Sequence, residues 1–251
     1  MRGFLFFAAL CSLIPFSAQG VEKEAALSEN EEKVERLDSV VVSSSRAGKD
    51  TPVTFTMVGK ESLKRSNPIN SLPMNLALQP SVVSVNEGGT GLGYSKMTVR
   101  GSKGSQINVT LNGITLNDAE SQEVFWVNIP ALSSMISSVQ LQRGLGTSAN
   151  GAGAFGASIN MSTASVGADP FASADMSVGS YGTYMGSFAS GSGLLPSGLY
   201  FNAAYSRGLT DGYIRNAFAD VHSAMAVLGW MNERNSLRMT WLMGSQRTGI
   251  T

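Results

Sequence analysis

A period-two alternation that begins near residue 169 is the feature that most constrains the fold of this chain. Apolar side chains occupy every second position, and small or polar side chains stand between them. Because successive side chains of a strand point to opposite faces, the pattern predicts antiparallel strands with one apolar face. The clearest stretches are 172–178, 199–205 and 237–243, and less regular ones at 184–191 and 221–231 bring the number of predicted strands to five.

Two architectures accommodate such strands, a soluble antiparallel sandwich and a transmembrane β-barrel. The strands exceed the usual length of about 5–6 residues, and their small or polar face is as regular as the apolar one. Short turns near 194–197 and 233–235 alternate with a longer connection at 207–219, as in outer-membrane barrels. Charged residues make up only 14% of the chain, against about 25% in soluble domains. The sequence therefore favours barrel strands.

Residues 47–165 precede these strands and predict an α/β domain. Two long loops, at 86–96 and 117–128, carry most of its polar and aromatic variety. Loops on a rigid scaffold are the usual location of binding residues. The predicted strands are 52–57, 81–85, 97–100, 107–111, 138–142 and 157–161, and the predicted helices are 59–65, 70–78 and 129–136.

The residue types argue against catalysis, a cofactor or a metal site. The chain has one Cys and one His, and its glycine-rich stretches at 91–93 and 144–156 lack the Gly-Lys-Ser/Thr of a phosphate-binding loop. We interpret His222 as a lumen or interface side chain. A formal net charge of zero excludes a basic surface for nucleic acid. We therefore predict no enzyme, no cofactor, no metal ion and no nucleic-acid partner.

Residues 1–20 have the pattern of a cleaved signal peptide. Arg2 precedes an apolar run at 4–14, and small residues follow before the predicted cut at Val21. A membrane anchor is the alternative, but the run is shorter than the ~20 apolar residues that a spanning helix needs. Cleavage removes Cys11 and leaves a chain without cysteine, which suits the oxidising cell envelope.

Residues 21–46 predict a charged, solvated tether with a short apolar segment inside it. Positions 21–38 hold seven acidic and three basic residues, and three consecutive valines follow at 40–42. The segment 37–43 is either the first strand of the domain or an exposed strand that pairs with the sheet edge of a partner. The residues alone leave both interpretations open.

Several short motifs follow one another along the chain, and they are Leu37–Ser43, Val99-Arg100-Gly101, Val109–Ile114, Val139–Gly144 and Gly151–Asn160. Their order and spacing, together with the order of signal, acidic tether, apolar segment, α/β domain and long strands, resemble those of TonB-dependent outer-membrane receptors. Where this family often has a second glycine, the chain has Ala157. The apolar segment is similar to that of receptors from the Bacteroidetes group.

The resemblance implies an α/β plug domain followed by antiparallel transmembrane β-barrel strands in an incomplete barrel. It implies a TonB box that binds TonB, with its inner-membrane motor complex, through Leu37, Asp38, Ser39, Val40, Val41 and Val42. It implies ion pairs of Arg100 and Arg143 with carboxylates of the barrel wall. The substrate contacts expected in the plug loops are Glu87, Tyr94, Asp118, Glu120, Glu123, Phe125 and Trp126, with packing in the plug core as the alternative for Trp126.

The family further implies an outer-membrane location, contact with outer-membrane lipid, and uptake of a scarce nutrient. An iron–siderophore complex is the expected substrate, and cobalamin, haem or an oligosaccharide are alternatives. Residues 166–251 provide five strands, whereas plugged transporters have about 22, so we expect the N-terminal part of a receptor that cannot close a barrel alone. A periplasmic binding module without transport and an envelope enzyme are the remaining alternatives.

Overall fold

The computed structural model describes residues 46–48, 53–66, 69–129, 132–145, 154–163, 169–232 and 235–249. The predicted signal peptide at 1–20, the tether as far as residue 45 and the TonB box at 37–42 lie outside these residues. Among the helices of the described part, none is long and apolar enough to cross a membrane.

The α/β domain comprises the described residues between 46 and 163. Its strands are β1 (Thr54–Gly59), β2 (Val82–Asn86), β3 (Ser95–Val99), β4 (Ile107–Leu111), β5 (Ile114–Thr115), β6 (Ile136–Arg143) and β7 (Ala157–Thr163). Its helices are α1 (Lys60–Ser66), α2 (Leu72–Leu76) and α3 (Leu132–Met135), with 3-10 turns at Gly104–Gln106 and Trp126–Asn128.

Five of these strands form one mixed sheet in the order β1-β6-β7-β4-β5. The pair β4 and β7 is parallel, and the other neighbours are antiparallel. Strands β2 and β3 form a separate antiparallel pair. One face of the mixed sheet supplies the hydrophobic core, in which Val139, Leu141 and Ile159 are 0% exposed. Burial of such side chains is the main source of stability for a domain of this size.

The opposite face of this sheet is polar and also buried. Gln140, Gln142 and Asn160 are 1–2% exposed. The amide of Gln142 donates to Gln140 Oε1 at 2.8 Å, and the hydroxyl of Thr110 donates to Asn160 Oδ1 at 2.8 Å. These bonds satisfy polar groups that would be costly to bury unpaired.

The remaining strands form the long-strand sheet. It consists of β8 (Phe171–Val178), β9 (Tyr184–Gly191), β10 (Leu199–Thr210), β11 (Ala219–Met231) and β12 (Ser236–Thr248). Each strand is antiparallel to the next, in the order β12-β11-β10-β9-β8. We call the end with connections 179–183 and 211–218 the loop end, and the end with connection 192–198 the turn end.

The outer face of the long-strand sheet is apolar, as the alternation predicts, whereas the inner face carries apolar side chains as well as small and polar ones. On its inner face, Met185, Val221 and Met225 pack against the α/β domain and are 0–6% exposed. On its outer face, large apolar side chains stay exposed, with Leu237 at 69% and Met243 at 71%. The combination of an α/β domain and antiparallel strands confirms the predicted fold class. Within the described strands the sheet is open, because β8 and β12 pair on one side only.

Most element predictions agree with the structure to within a few residues, but the helix predicted at 129–136 is wrong in extent. Among the described residues of this stretch, Leu132–Met135 is α-helical, and Ile136 already begins β6. Ile136 is 1% exposed in the core. Pairing of β6 with β1 and β7 therefore overrides the helical pattern of the preceding residues.

Candidate functional site

The first candidate site element is the loop between β2 and β3. The Asn86 side chain holds this loop, since its Nδ2 donates to Leu92 O at 2.8 Å and its Oδ1 accepts from Gly91 N at 3.1 Å. Gly91 has φ +91°, and a Cβ there would collide with Asn70. The glycine is therefore required for the loop to fold back on itself.

Two predicted substrate contacts lie on this loop. Glu87 N donates to Tyr94 O at 2.9 Å, so the two residues close the base of the loop. The Glu87 carboxylate pairs with Lys96 Nζ at 3.0 Å on an exposed surface. The Glu87 carboxylate therefore has a lysine of the adjoining strand β3 as its partner.

The same loop contacts the loop end of the long-strand sheet. Gly88 O accepts a hydrogen bond from Tyr213 N at 3.0 Å. Leu92, which is 1% exposed, packs in a cluster with Met185 and Val221 of the sheet. These contacts fix the loop beside the connection 211–218.

An aromatic pair stands at this junction. The rings of Tyr181 and Tyr213 meet edge to face with centroids 5.2 Å apart, and their residues are 51% and 65% exposed. Sequence reasoning noted Tyr213 only as part of a long connection and passed over Tyr181. The sequence feature that could have indicated this pair is the presence of a tyrosine in each of the two loop-end connections.

The second predicted loop is built around Asp118. Its Oδ2 accepts hydrogen bonds from Ser121 N at 2.9 Å, Ser121 Oγ at 3.0 Å and Glu120 N at 3.2 Å. These bonds, led by that from the Ser121 backbone, hold the pKa of the Asp118 carboxyl below its ordinary value. Glu120 and Glu123 are exposed beside it. Asp118 therefore organises the loop that presents the two glutamates.

Phe125 and Trp126, the aromatic residues predicted for this loop, have different environments. Phe125 is 43% exposed, whereas Trp126 is 7% exposed and belongs to the hydrophobic core. The structure therefore places Trp126 in core packing, the alternative considered for it. Asn128, two residues further on, contacts the long-strand sheet, because Gln246 Nε2 donates to Asn128 Oδ1 at 3.3 Å.

Arg100 and Arg143 lie next to each other. Arg143 is 8% exposed, and it donates to Pro80 O at 2.9 Å and to Thr56 Oγ1 at 2.7 Å. Arg100 Nη1 lies 3.5 Å from Arg143 O. Burial, and secondarily the charge of Arg100, lower the pKa of Arg143. No carboxylate of the described residues forms an ion pair with either guanidinium.

Residues 46–48, which follow the predicted TonB box, are anchored on the polar face of the mixed sheet. Gln140 Oε1 accepts from Ala47 N at 2.8 Å, and Gln140 Nε2 donates to Ala47 O at 2.8 Å. Arg46 Nη2 donates to Ser138 Oγ and to Asn160 O, both at 3.1 Å. Burial lowers the pKa of Arg46. We call these contacts the box anchor, and sequence reasoning missed it.

The site therefore comprises two loops of the α/β domain next to the loop end of the sheet, and an anchor on the polar face of the mixed sheet. A comparison with family models matches residues 47–158 to the TonB-dependent Receptor Plug Domain. Comparison with curated protein sequences gives no significant match.

Solved structures with the same fold include the siderophore receptor PirA from Acinetobacter baumannii, at 15% identity and a TM-score of 0.64 over 77% of this chain and 32% of that one. The ferric-catecholate import receptor Fiu from E. coli K12 gives 19% identity and a TM-score of 0.62 over 79% and 28%. The copper transporter OprC gives 14% identity and a TM-score of 0.65 over 78% and 30%. The chain thus spans about a third of the length of these proteins.

A plug-type α/β domain with antiparallel strands packed on it is the fold that this chain shares with the solved receptors. Residues 47–158 match the plug domain of TonB-dependent receptors, and β8–β12 continue the chain in the fold of those structures. The match confirms the resemblance to TonB-dependent receptors, whereas the similarity of the apolar segment to that of Bacteroidetes receptors stays a prediction. The family consists of outer-membrane receptors and transporters.

Proposed function

We propose that this chain belongs to a working outer-membrane receptor that imports a scarce nutrient with energy delivered by TonB. The observation that carries the proposal is the packing of the plug domain on the inner face of the long-strand sheet. Ile69 and Leu92 of the plug form one buried cluster with Met185, Ala219 and Val221. A plug held against the inside of barrel strands closes the passage until it is moved.

The nutrient first meets the loop end of the receptor. Phe125, Glu120 and Glu123 are exposed on one plug loop, and Tyr181 with Tyr213 stands beside the other. Exposed aromatic faces and carboxylates on these loops suit a polar organic ligand with apolar edges. We propose that these side chains, with Tyr94 and Glu87, contact the substrate.

Coupling to TonB starts at the predicted TonB box, residues 37–42. Only three residues separate the end of this box from Arg46 at the box anchor. A partner that pairs with the box and pulls on it first loads the hydrogen bonds of Arg46 with Ser138 and Asn160, and then those between Ala47 and Gln140. Because Gln140 lies in β6 of the plug sheet, the load enters the plug core directly.

The two plug arginines supply a second holding point. Arg100 and Arg143 repel each other, and they pair with no carboxylate among the described residues. Carboxylates on further wall strands would relieve this repulsion with charge-assisted hydrogen bonds. We propose that such pairs retain the plug until force arrives.

An iron–siderophore complex is the substrate we propose. Several receptors with this fold are named for siderophore uptake, including PirA, Fiu and the ferric yersiniabactin receptor FyuA of Yersinia pestis. OprC, with a similar TM-score, is named as a copper transporter. The proposal therefore rests on the exposed aromatic and carboxylate groups together with the prevailing role among these relatives.

The test measures uptake by cells that carry the gene at its full encoded length. Ferric siderophores, cobalamin, haem, oligosaccharides and copper ions are offered separately in labelled form. We expect uptake of a ferric siderophore that deletion of 37–42 abolishes at unchanged protein level. Combined Tyr181→Ala and Tyr213→Ala should raise the half-saturating concentration, whereas Tyr184→Ala on the outer face should not. Uptake that survives the deletion would contradict the TonB mechanism, and box-dependent uptake of another compound would contradict the substrate alone.

A further inference from the structure

The outer face of the long-strand sheet changes character near the loop end. Over most of its height it carries apolar side chains, and the adjacent outer-face positions then turn polar on three neighbouring strands. In the register of the sheet, Arg207 of β10 is opposite His222 of β11, and Asp220 of β11 is opposite Arg247 of β12. The exposed apolar band consists of Met176, Val178, Phe188, Leu199, Phe201, Leu228, Trp230, Leu237, Met239, Trp241 and Met243.

These polar side chains form one connected group, which we call the rim cluster. Tyr205 Oη and His222 Nδ1 are 2.8 Å apart. His222 Nε2 lies 3.3 Å from Asp220 Oδ1, and Arg207 Nη2 lies 3.3 Å from Asp220 Oδ2. One carboxylate therefore orients both a guanidinium and an imidazole on the outer face.

The fifth member, Arg247, adds a second guanidinium to the same rim. Its Cζ stands 5.9 Å from the centroid of the Phe218 ring. The strand register places Arg247 beside Asp220. The rim thus holds two guanidiniums and one carboxylate, and the Arg207 side chain is 50% exposed. The rim cluster carries excess positive charge and unused N–H donors.

Stability does not account for this arrangement. Exposed ion pairs contribute little to folding because solvent screens them and the side chains lose conformational freedom when they form. The group also points away from the plug, since Tyr205, Arg207 and His222 share the face of Phe201 and Leu228. Of the two alternatives predicted for His222, the lumen side chain is wrong, because His222 lies on the outer face. The rim cluster is placed to meet a ligand from the surrounding membrane.

We propose that Arg207 and Arg247 bind the phosphate of an anionic lipid headgroup, whose acyl chains lie along the apolar band. Guanidiniums match phosphate oxygens with paired, charge-assisted hydrogen bonds. His222, held by Tyr205 and Asp220, supports the same rim. A free phosphate ion would match the charges but would leave the adjoining apolar band unused. The inference rests on the proposed outer-membrane location and goes beyond it, since it assigns a lipid site outside the transport path.

The test uses the protein at its full encoded length, purified from outer membranes in an uncharged detergent. Native mass spectrometry measures retention of phosphatidic acid and of diacylglycerol with identical acyl chains, which differ only in the phosphate. We expect preferential retention of phosphatidic acid. Combined Arg207→Gln and Arg247→Gln should reduce this preference about tenfold, as loss of a charge-assisted contact implies. Combined Arg207→Lys and Arg247→Lys should reduce it less.

Arg215→Gln is the matched control, because Arg215 is exposed in the connection 211–218 and off the outer face of the strands. It should leave the preference unchanged, and heat-dependent gel migration checks that each variant is folded. An equal preference in the double glutamine variant and the wild type would overturn the proposal. So would displacement of phosphatidic acid by inorganic phosphate at equal concentration, which would assign a free-phosphate site. Nutrient uptake by the double variant should remain normal, so failure of transport and failure of lipid binding are distinguishable.

Discussion

The plug domain and the long-strand sheet use the same alternation of apolar and polar residues with opposite results. In the plug, Leu141 and Ile159 are 0% exposed in a core that forms within the domain. In the long-strand sheet, Leu237 and Met243 are 69% and 71% exposed on the outer face. The plug carries its own apolar environment, whereas the outer face of the sheet requires one from outside. Alternation alone therefore predicts a strand but not what covers its apolar side.

The polar sides of the two sheets differ as well. The plug uses large amides there, and Gln140 and Gln142 are buried and hydrogen-bonded. The long-strand sheet uses small residues on its inner face, such as Ser206 and Ser223 at 1–2% exposure. Small side chains let the plug approach the wall closely, and amides let the plug capture backbone groups. Each polar face is thus adapted to a different partner.

The largest expected difference between the two regions comes from truncating an apolar side chain in each. Leu141→Ala leaves a cavity in the plug core and should cost about 2–5 kcal/mol of unfolding free energy. Met239→Ala, at a position 55% exposed, should cost less than about 1 kcal/mol in detergent. Denaturant unfolding followed by tryptophan fluorescence measures both. Equal losses at the two sites would show that the outer face is covered by protein.

A second comparison concerns glycines on opposite faces of the long-strand sheet. A Cβ at Gly244 would collide with the Asn128 carbonyl of the plug, whereas a Cβ at Gly186 would meet nothing within 4 Å. Gly244→Ala should therefore cost about 1–3 kcal/mol through overpacking. Gly186→Ala should be neutral or stabilising by up to about 1 kcal/mol, because alanine restricts the unfolded chain. Thermal unfolding of both variants checks the sign, and destabilisation by Gly186→Ala would indicate an unrecognised contact on the outer face.

The sequence predicted the fold well where pattern and environment agree. The strand prediction at 107–111 coincides with β4, and the stretch 184–191 coincides with β9. Asn112 and Gly113 have φ values of +52° and +84°, as their turn chemistry requires. Local residue preferences suffice for such elements because their burial follows the same period.

The candidate site was less predictable because it depends on contacts between distant segments. Ala47 and Gln140 are 93 residues apart in the chain, and nothing in the local pattern links them. Tyr181 and Tyr213 come from separate connections that only the strand register brings together. Trp126 was offered as a substrate contact from its loop position, and packing against the core decided its location. Long-range contacts of this kind leave no periodic pattern in the sequence from which they could be predicted.

The box anchor provides the third comparison, between a buried amide and an exposed one. Gln140→Leu removes both bonds to Ala47 and the bond from Gln142, and it leaves the backbone groups of Ala47 unpaired, which should cost about 1–3 kcal/mol. The amide hydrogen of Ala47 should exchange faster with solvent deuterium. Gln246→Leu is the matched change on the sheet, where a single exposed bond to Asn128 is lost, and should cost less than about 1 kcal/mol. Unchanged exchange at Ala47 after Gln140→Leu would show that other contacts hold residues 46–48.

The smallest effect is expected at Asp118, in a loop that neither sheet buries. Hydrogen bonds from Ser121 and Glu120 lower the pKa of this carboxyl in the folded protein. A lowered folded pKa adds stability above the unfolded value, and that stability is lost as pH falls through the folded pKa. Asp118→Asn should therefore be less stable than the wild type near neutral pH, and the two should converge under acid conditions.

Glu120→Gln, at an exposed position of the same loop, is the control and should match the wild type near neutral pH. Chemical unfolding across pH measures the gap, and a gap that persists unchanged into acid would show that Asp118 contributes through shape alone. In that case the loop would owe its order to Asn117, which accepts from Val109 N at 2.8 Å and donates to Ile107 O at 2.8 Å, so the plug core itself would position the loop.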